Sequence, residues 1–194
     1  AACGGAAAVG TAAKGTAVKA SEEVTPVRVR RLTACALLSA VALTLFVVEA
    51  QIPLPLPVPG LKLGLSNVVT VFALAIFGWR EALAIVLTRI LLGNLVTGQA
   101  SAILYAVAGG GLSFAAMALL RRVLKPEQLW ICGVFGGIAH NIGQMAVAVA
   151  ITRTAGLLLY LPVLLLCGVA TGALTGICGQ LLAKRLSRAG GRRS

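Results

Sequence analysis

The sequence predicts an all-α, polytopic membrane protein: a compact bundle of about six transmembrane helices with both termini cytoplasmic. Three observations carry this expectation. Of 194 residues, 59% are hydrophobic and 11% charged, and the mean hydropathy is +0.97, far more apolar than an ordinary soluble domain. Apolar runs of the length that crosses a bilayer, about 17–25 residues, occur at 32–50, 61–78, 80–98, 100–120, 128–151 and 156–183. The basic residues then collect at alternate ends of these runs.

Composition divides the chain into a low-complexity tail, 1–27, a membrane domain, 28–186, and a basic C-terminal tail, 187–194. The first is Ala, Gly, Lys and Thr with too little periodic bulk for a core, which predicts disorder, and it has no apolar stretch of signal-peptide type.

The first span carries Ala36 and Ala40, small residues four apart that suit close approach by a partner helix, and it ends beside Glu49. The stretch "QIPLPLPVPG" (51–60) follows, with a proline at every second position from 53 to 59. Proline removes amide donors and fixes φ, so this predicts an extended, stiff segment on the outer side, either a plain connector or a lid in which Pro57, Pro59 and Lys62 guard an entrance. The second span contains Asn67 and is parted from the third only by "GWR" (78–80), which suits a tight helical hairpin with Trp79 as an interfacial anchor. Arg89 stands nine residues into the third span, about 13 Å along a helix and so near mid-membrane. A lone Arg there is expensive and is expected to face the interior, a partner or a cavity. Asn94 follows in the same span.

The fourth span holds "GGG" (109–111), and the fifth holds "AHNIGQM" (139–145) in an otherwise apolar run. His140 and Gln144 are spaced i, i+4, and Asn141 and Gln144 i, i+3, so the three are expected to share roughly one helix face. With Arg89, Asn67 and Asn94 they could line one substrate-binding cavity; interhelical hydrogen bonding explains the same residues equally well. The sixth span has Gly168, Gly172 and Gly176 at strict i+4 spacing, a strip for close helix packing.

Orientation follows from Lys and Arg. Lys14, Lys19, Arg28, Arg30, Arg31, Arg80, Arg121, Arg122, Lys125 and the cluster from Lys184 to Arg193 fall on one side, whereas the other has only Lys62 and Arg153. The positive-inside rule makes the first side, with both termini, cytoplasmic at the plasma membrane.

The formal charge of +12 does not imply nucleic acid, because the cations sit at the edges of apolar runs. All five acids are Glu and no Asp occurs, which leaves few ligands for a divalent metal. The five cysteines lack zinc-like spacing, and no nucleophile triad or Walker loop accompanies the polar cluster. The residues predict binding rather than chemistry, with no catalytic residue, metal site or cofactor.

From about residue 32 to 183 the chain resembles the small membrane proteins of the Gx transporter family, also called heptaprenyl diphosphate synthase component I. The resemblance is carried by "PGLKLGLSNVVT", "TRILLGNLVTG", "GGGLSFAAMALL", "GGIAHNIGQMAVA" and "YLPVLLLCGVATGALTG", in that order. That family is similar in size and layout to the substrate-binding S components of energy-coupling factor transporters. The resemblance implies uptake of a small polar or anionic solute, with Ala36 and Ala40 docking an energy-coupling transmembrane subunit driven by ATPases. The older name implies a non-catalytic membrane component of heptaprenyl diphosphate synthesis, since prenyl elongation needs Asp-rich motifs that this chain lacks. Some relatives imply a third role, as a membrane subunit of flavin- or quinone-linked electron transfer.

Overall fold

The computed structural model describes the backbone of residues 7–52, 62–98 and 102–190, and side chains from 28 to 186 within those limits. Six α-helices and two short 3-10 turns make up the described residues, which contain no strand. The α-helices are α1 (Ala7–Ala50), α2 (Asn67–Ile76), α3 (Trp79–Thr97), α4 (Ala102–Val123), α5 (Leu129–Thr152) and α6 (Leu161–Gly190). The chain divides into two units, Ala1–Leu37 and Leu38–Ser194. Within the described residues the first is the opening part of α1, whose helical backbone begins at Ala7 inside the low-complexity segment. The prolines at 53–59, including Pro57 and Pro59, lie outside the described residues.

In the second unit α5 is central, packed against α4 on one side and α6 on the other, while α2 lies against α6 and α3. Backbone contact explains the α5–α6 pairing. A Cβ on Gly137 would stand 2.2 Å from the Gly168 carbonyl oxygen, and one on Gly172 would stand 2.5 Å from that of Gly133. Only hydrogen at these positions lets the two helices meet, which is the packing role expected of the strip.

Four helical segments are long and apolar enough to cross a membrane: Arg28–Ala50, Ala102–Val123, Pro126–Thr152 and Ala155–Leu186. Their outward residues are bulky and apolar, as Leu119, Leu159 and Leu166 are at 65%, 83% and 72% exposure. This is a surface for lipid, since a soluble protein does not leave so many large side chains in water. The expected second span differs. Helix α2 is only 10 residues, about 15 Å, roughly half the hydrocarbon thickness. The missing half is the irregular stretch 62–66, where Gly64 takes φ +82. Non-helical backbone at membrane depth is tolerated where protein surrounds it, and Lys62, Ser66 and Asn67 are all buried.

The hairpin at "GWR" is as expected. Helix α2 ends at Ile76, α3 starts at Trp79, and Gly78 turns the chain at φ +101 while its N–H and that of Phe77 both donate to the Ala73 carbonyl.

Candidate functional site

The irregular 62–66 stretch lies among α1, α3, α5 and α6: side chains of α1, α5 and α6 satisfy its backbone, Thr171 of α6 donating to the Leu63 carbonyl at 3.3 Å, and Arg89 of α3 bonds to its side chains. Glu49, at the end of α1, accepts the N–H of Gly64 and, at 3.3 Å, that of Leu65. Gln144 of α5 accepts the Lys62 N–H through Oε1 at 3.1 Å. Arg89 of α3 donates through one Nη to Ser66 Oγ at 2.5 Å and through the other to Asn67 Oδ1 at 2.8 Å. Gly64 is pressed so close that a Cβ there would lie 2.8 Å from Asn67 Nδ2 and 3.1 Å from His140 Cδ2.

These residues enclose a buried pocket lined by Glu49, Lys62, Ser66, Arg89, His140 and Gln144 on its polar side and by Phe46, Ile90 and Ala106 on its apolar side. Its free space takes about one water-sized group. The His140 Nε2 lies 3.0 Å from Gln144 Nε2, so the amide donates and the ring nitrogen accepts. Lys62 Nζ rests 3.3 Å from the centre of the Phe46 ring, a cation–π contact, and has no hydrogen-bond partner.

Four of the expected binding residues therefore meet here: Arg89, His140 and Gln144 line the pocket, and Asn67 holds Arg89 in place. Lys62 meets them too, but as a buried wall residue at 5% exposure rather than at an open entrance. Two expected residues point elsewhere. Asn141 is buried but donates to the Leu164 carbonyl of α6 at 2.5 Å, because one residue along a helix turns the side chain about 100° away from His140. Asn94 donates to the Ile90 carbonyl of its own helix at 2.7 Å. Ala36 and Ala40 are both exposed. Sequence reasoning missed Ser66, Gly64 and the apolar wall, and it noted Glu49 only at the end of the first span. The available signal was the polar set Lys62, Ser66 and Asn67 inside a run otherwise apolar enough to read as a span.

Among the described residues no group of three His, Cys, Asp or Glu side chains is placed to hold a metal ion. The pocket contains one carboxylate, already bonded to the loop backbone, so the site does not fit the magnesium-bridged diphosphate chemistry of prenyl elongation.

A family model described as heptaprenyl diphosphate synthase component I matches residues 38–182, a span that includes every pocket residue. No curated protein and no solved structure matches the chain, so the likeness to S components has no counterpart in these comparisons.

Proposed function

Because this chain belongs to the heptaprenyl diphosphate synthase component I family, we propose that it is a non-catalytic membrane component of polyprenyl diphosphate synthesis, working with a separate catalytic subunit. The observation that carries the reading is the family match over the whole polar site, joined to a donor set that suits holding an anion and not activating a metal. Both substrates and products of prenyl elongation are amphiphiles, and a lengthening tail partitions into lipid at about 0.8 kcal/mol per buried CH₂. A bilayer-embedded subunit gives such a product somewhere to go. The test is reconstitution: proteoliposomes containing this chain are mixed with the soluble synthase subunit from the same cells, and product length and yield are read after feeding allylic and isopentenyl diphosphates. Long-chain product should rise severalfold with the chain present, and identical length and yield without it would sink the proposal.

A second reading is favoured by the pocket's two cations against one carboxylate: binding and uptake of a small polar or anionic solute, powered by partner subunits docked at the exposed Ala36 and Ala40. Replacing both alanines by Leu should then abolish uptake while solute binding by the isolated protein persists, since bulky side chains keep helix backbones apart. Uptake unchanged in the double variant would reject that docking face. No described residue favours the electron-transfer reading.

A further inference from the structure

The charges in the pocket do not balance. Lys62 and Arg89 face Glu49 alone, which leaves one surplus positive charge among side chains that are 5%, 2% and 3% exposed. An uncompensated charge at membrane depth is costly unless something anionic neutralises it. The pocket-lining cations also keep donors in reserve, for Lys62 Nζ and Arg89 Nε are both buried without a hydrogen-bond partner. Glu49 turns one carboxylate oxygen, Oε1, to the Gly64 and Leu65 amides and not to these cations. Lys62 instead lies over the Phe46 face, an interaction weaker than a charge-assisted hydrogen bond to an anion. Beside these donors stand Phe46, Ile90 and Ala106, so the pocket is polar at one end and apolar at the other.

We propose that this pocket binds the diphosphate head of a prenyl diphosphate without a metal ion, with Lys62 Nζ and Arg89 Nε as donors to the head and the first apolar carbons against Phe46, Ile90 and Ala106. The assignment rests on the functional reading above and names the ligand class of its site. The closed pocket is too small for such a head, so entry moves the 62–66 stretch. That stretch is held over the pocket by side chains and not by a strand ladder: Glu49 and Gln144 accept its N–H groups, Thr171 donates to the Leu63 carbonyl and Arg89 to Ser66 Oγ, so it shifts by exchanging these bonds and those of the first α2 turn to the Gly64, Leu65 and Ser66 carbonyls. Lys62 leaves the Phe46 ring and follows the anion.

The experiment uses the full chain in detergent, free of divalent cations, and titrates geranyl diphosphate, inorganic diphosphate and geraniol by calorimetry. Geranyl diphosphate should bind saturably and more tightly than either of the others. Lys62→Met, which keeps length and contact with Phe46 but removes the charge, should weaken that binding by about tenfold or more while the ligand-free melting temperature holds or rises. Lys62→Arg should restore most of the affinity. Absence of saturable binding by the wild type, or equal affinity in Lys62→Met, overturns the site, and equal binding of inorganic and geranyl diphosphate overturns its apolar half. Reconstituted synthesis on the same preparations separates the two proposals. Synthesis that depends on the chain without diphosphate binding rejects the pocket alone, whereas binding without any effect on synthesis rejects the functional reading alone.

Discussion

Gln144 joins the 62–66 stretch to α5 with the two ends of one amide: Oε1 takes the Lys62 N–H and Nε2 meets His140. Truncating it leaves a buried N–H and a buried ring nitrogen to find new partners, and each such loss costs about 1–3 kcal/mol. Gln144→Ala should therefore lower the thermal midpoint in detergent, whereas Asn94→Ala, which removes only a bond within its own helix, should change it little. A melting curve for Gln144→Ala that overlays wild type would show that the loop does not need this tie. Gly64 is the sharper case, because its φ of +82 is left-handed and the space beside it is filled by Asn67 and His140. Gly64→Ala should cost at least the left-handed penalty of about 1–2 kcal/mol, read in the same melting assay. Arg89, His140 and Gln144 could be found from sequence because a lone charge or an i, i+4 polar pair stands out in an apolar run. Gly64 could not, since φ is not written in an irregular segment, and Asn141 was grouped with its neighbours because nothing in the sequence shows the Leu164 carbonyl that claims it.

At the scale of elements, periodic apolar runs made the helices legible, and the "GWR" turn fell where its glycine placed it. The run 61–78 was misread in part because hydropathy counts apolar residues and cannot see that Lys62 to Ser66 bond to four other helices, α1, α3, α5 and α6, instead of to one another. Helix pairing was legible as well, since glycines four apart in α6 face glycines in α5. That pairing makes a contrast inside one residue type. A Cβ on Gly137 meets a backbone oxygen at 2.2 Å, while a Cβ on Gly111 meets nothing within 4 Å. Gly137→Ala must push α5 and α6 apart and should reduce the yield of folded, monodisperse protein on size exclusion. Gly111→Ala gains helix propensity of up to about 1 kcal/mol with no clash and should melt at or above the wild-type temperature. If both variants behave alike, close packing at the α5–α6 contact is not what holds the pair.

At the scale of the whole molecule, the remaining question is which way the chain sits in the membrane, and burial sharpens the charge argument. Sequence left two cations on the sparse side, Lys62 and Arg153, yet Lys62 is a pocket residue at 5% exposure. Among the described residues Arg153 is then the one exposed cation of that side, at the turn after α5, against Arg80, Arg121, Arg122 and Lys125 at the opposite helix ends. A buried Lys62 is also no longer an exception to the positive-inside rule, which concerns charges in loops. The orientation we propose puts Arg153 outside and Lys125 with both termini in the cytoplasm. In a background with the five native cysteines replaced by Ala, Arg153→Cys should react with a membrane-impermeant maleimide added to intact cells. Lys125→Cys should react only after the membrane is opened. The reverse pattern would turn the molecule over, and it would move the pocket's loop to the cytoplasmic face, where a soluble synthase subunit could reach it directly.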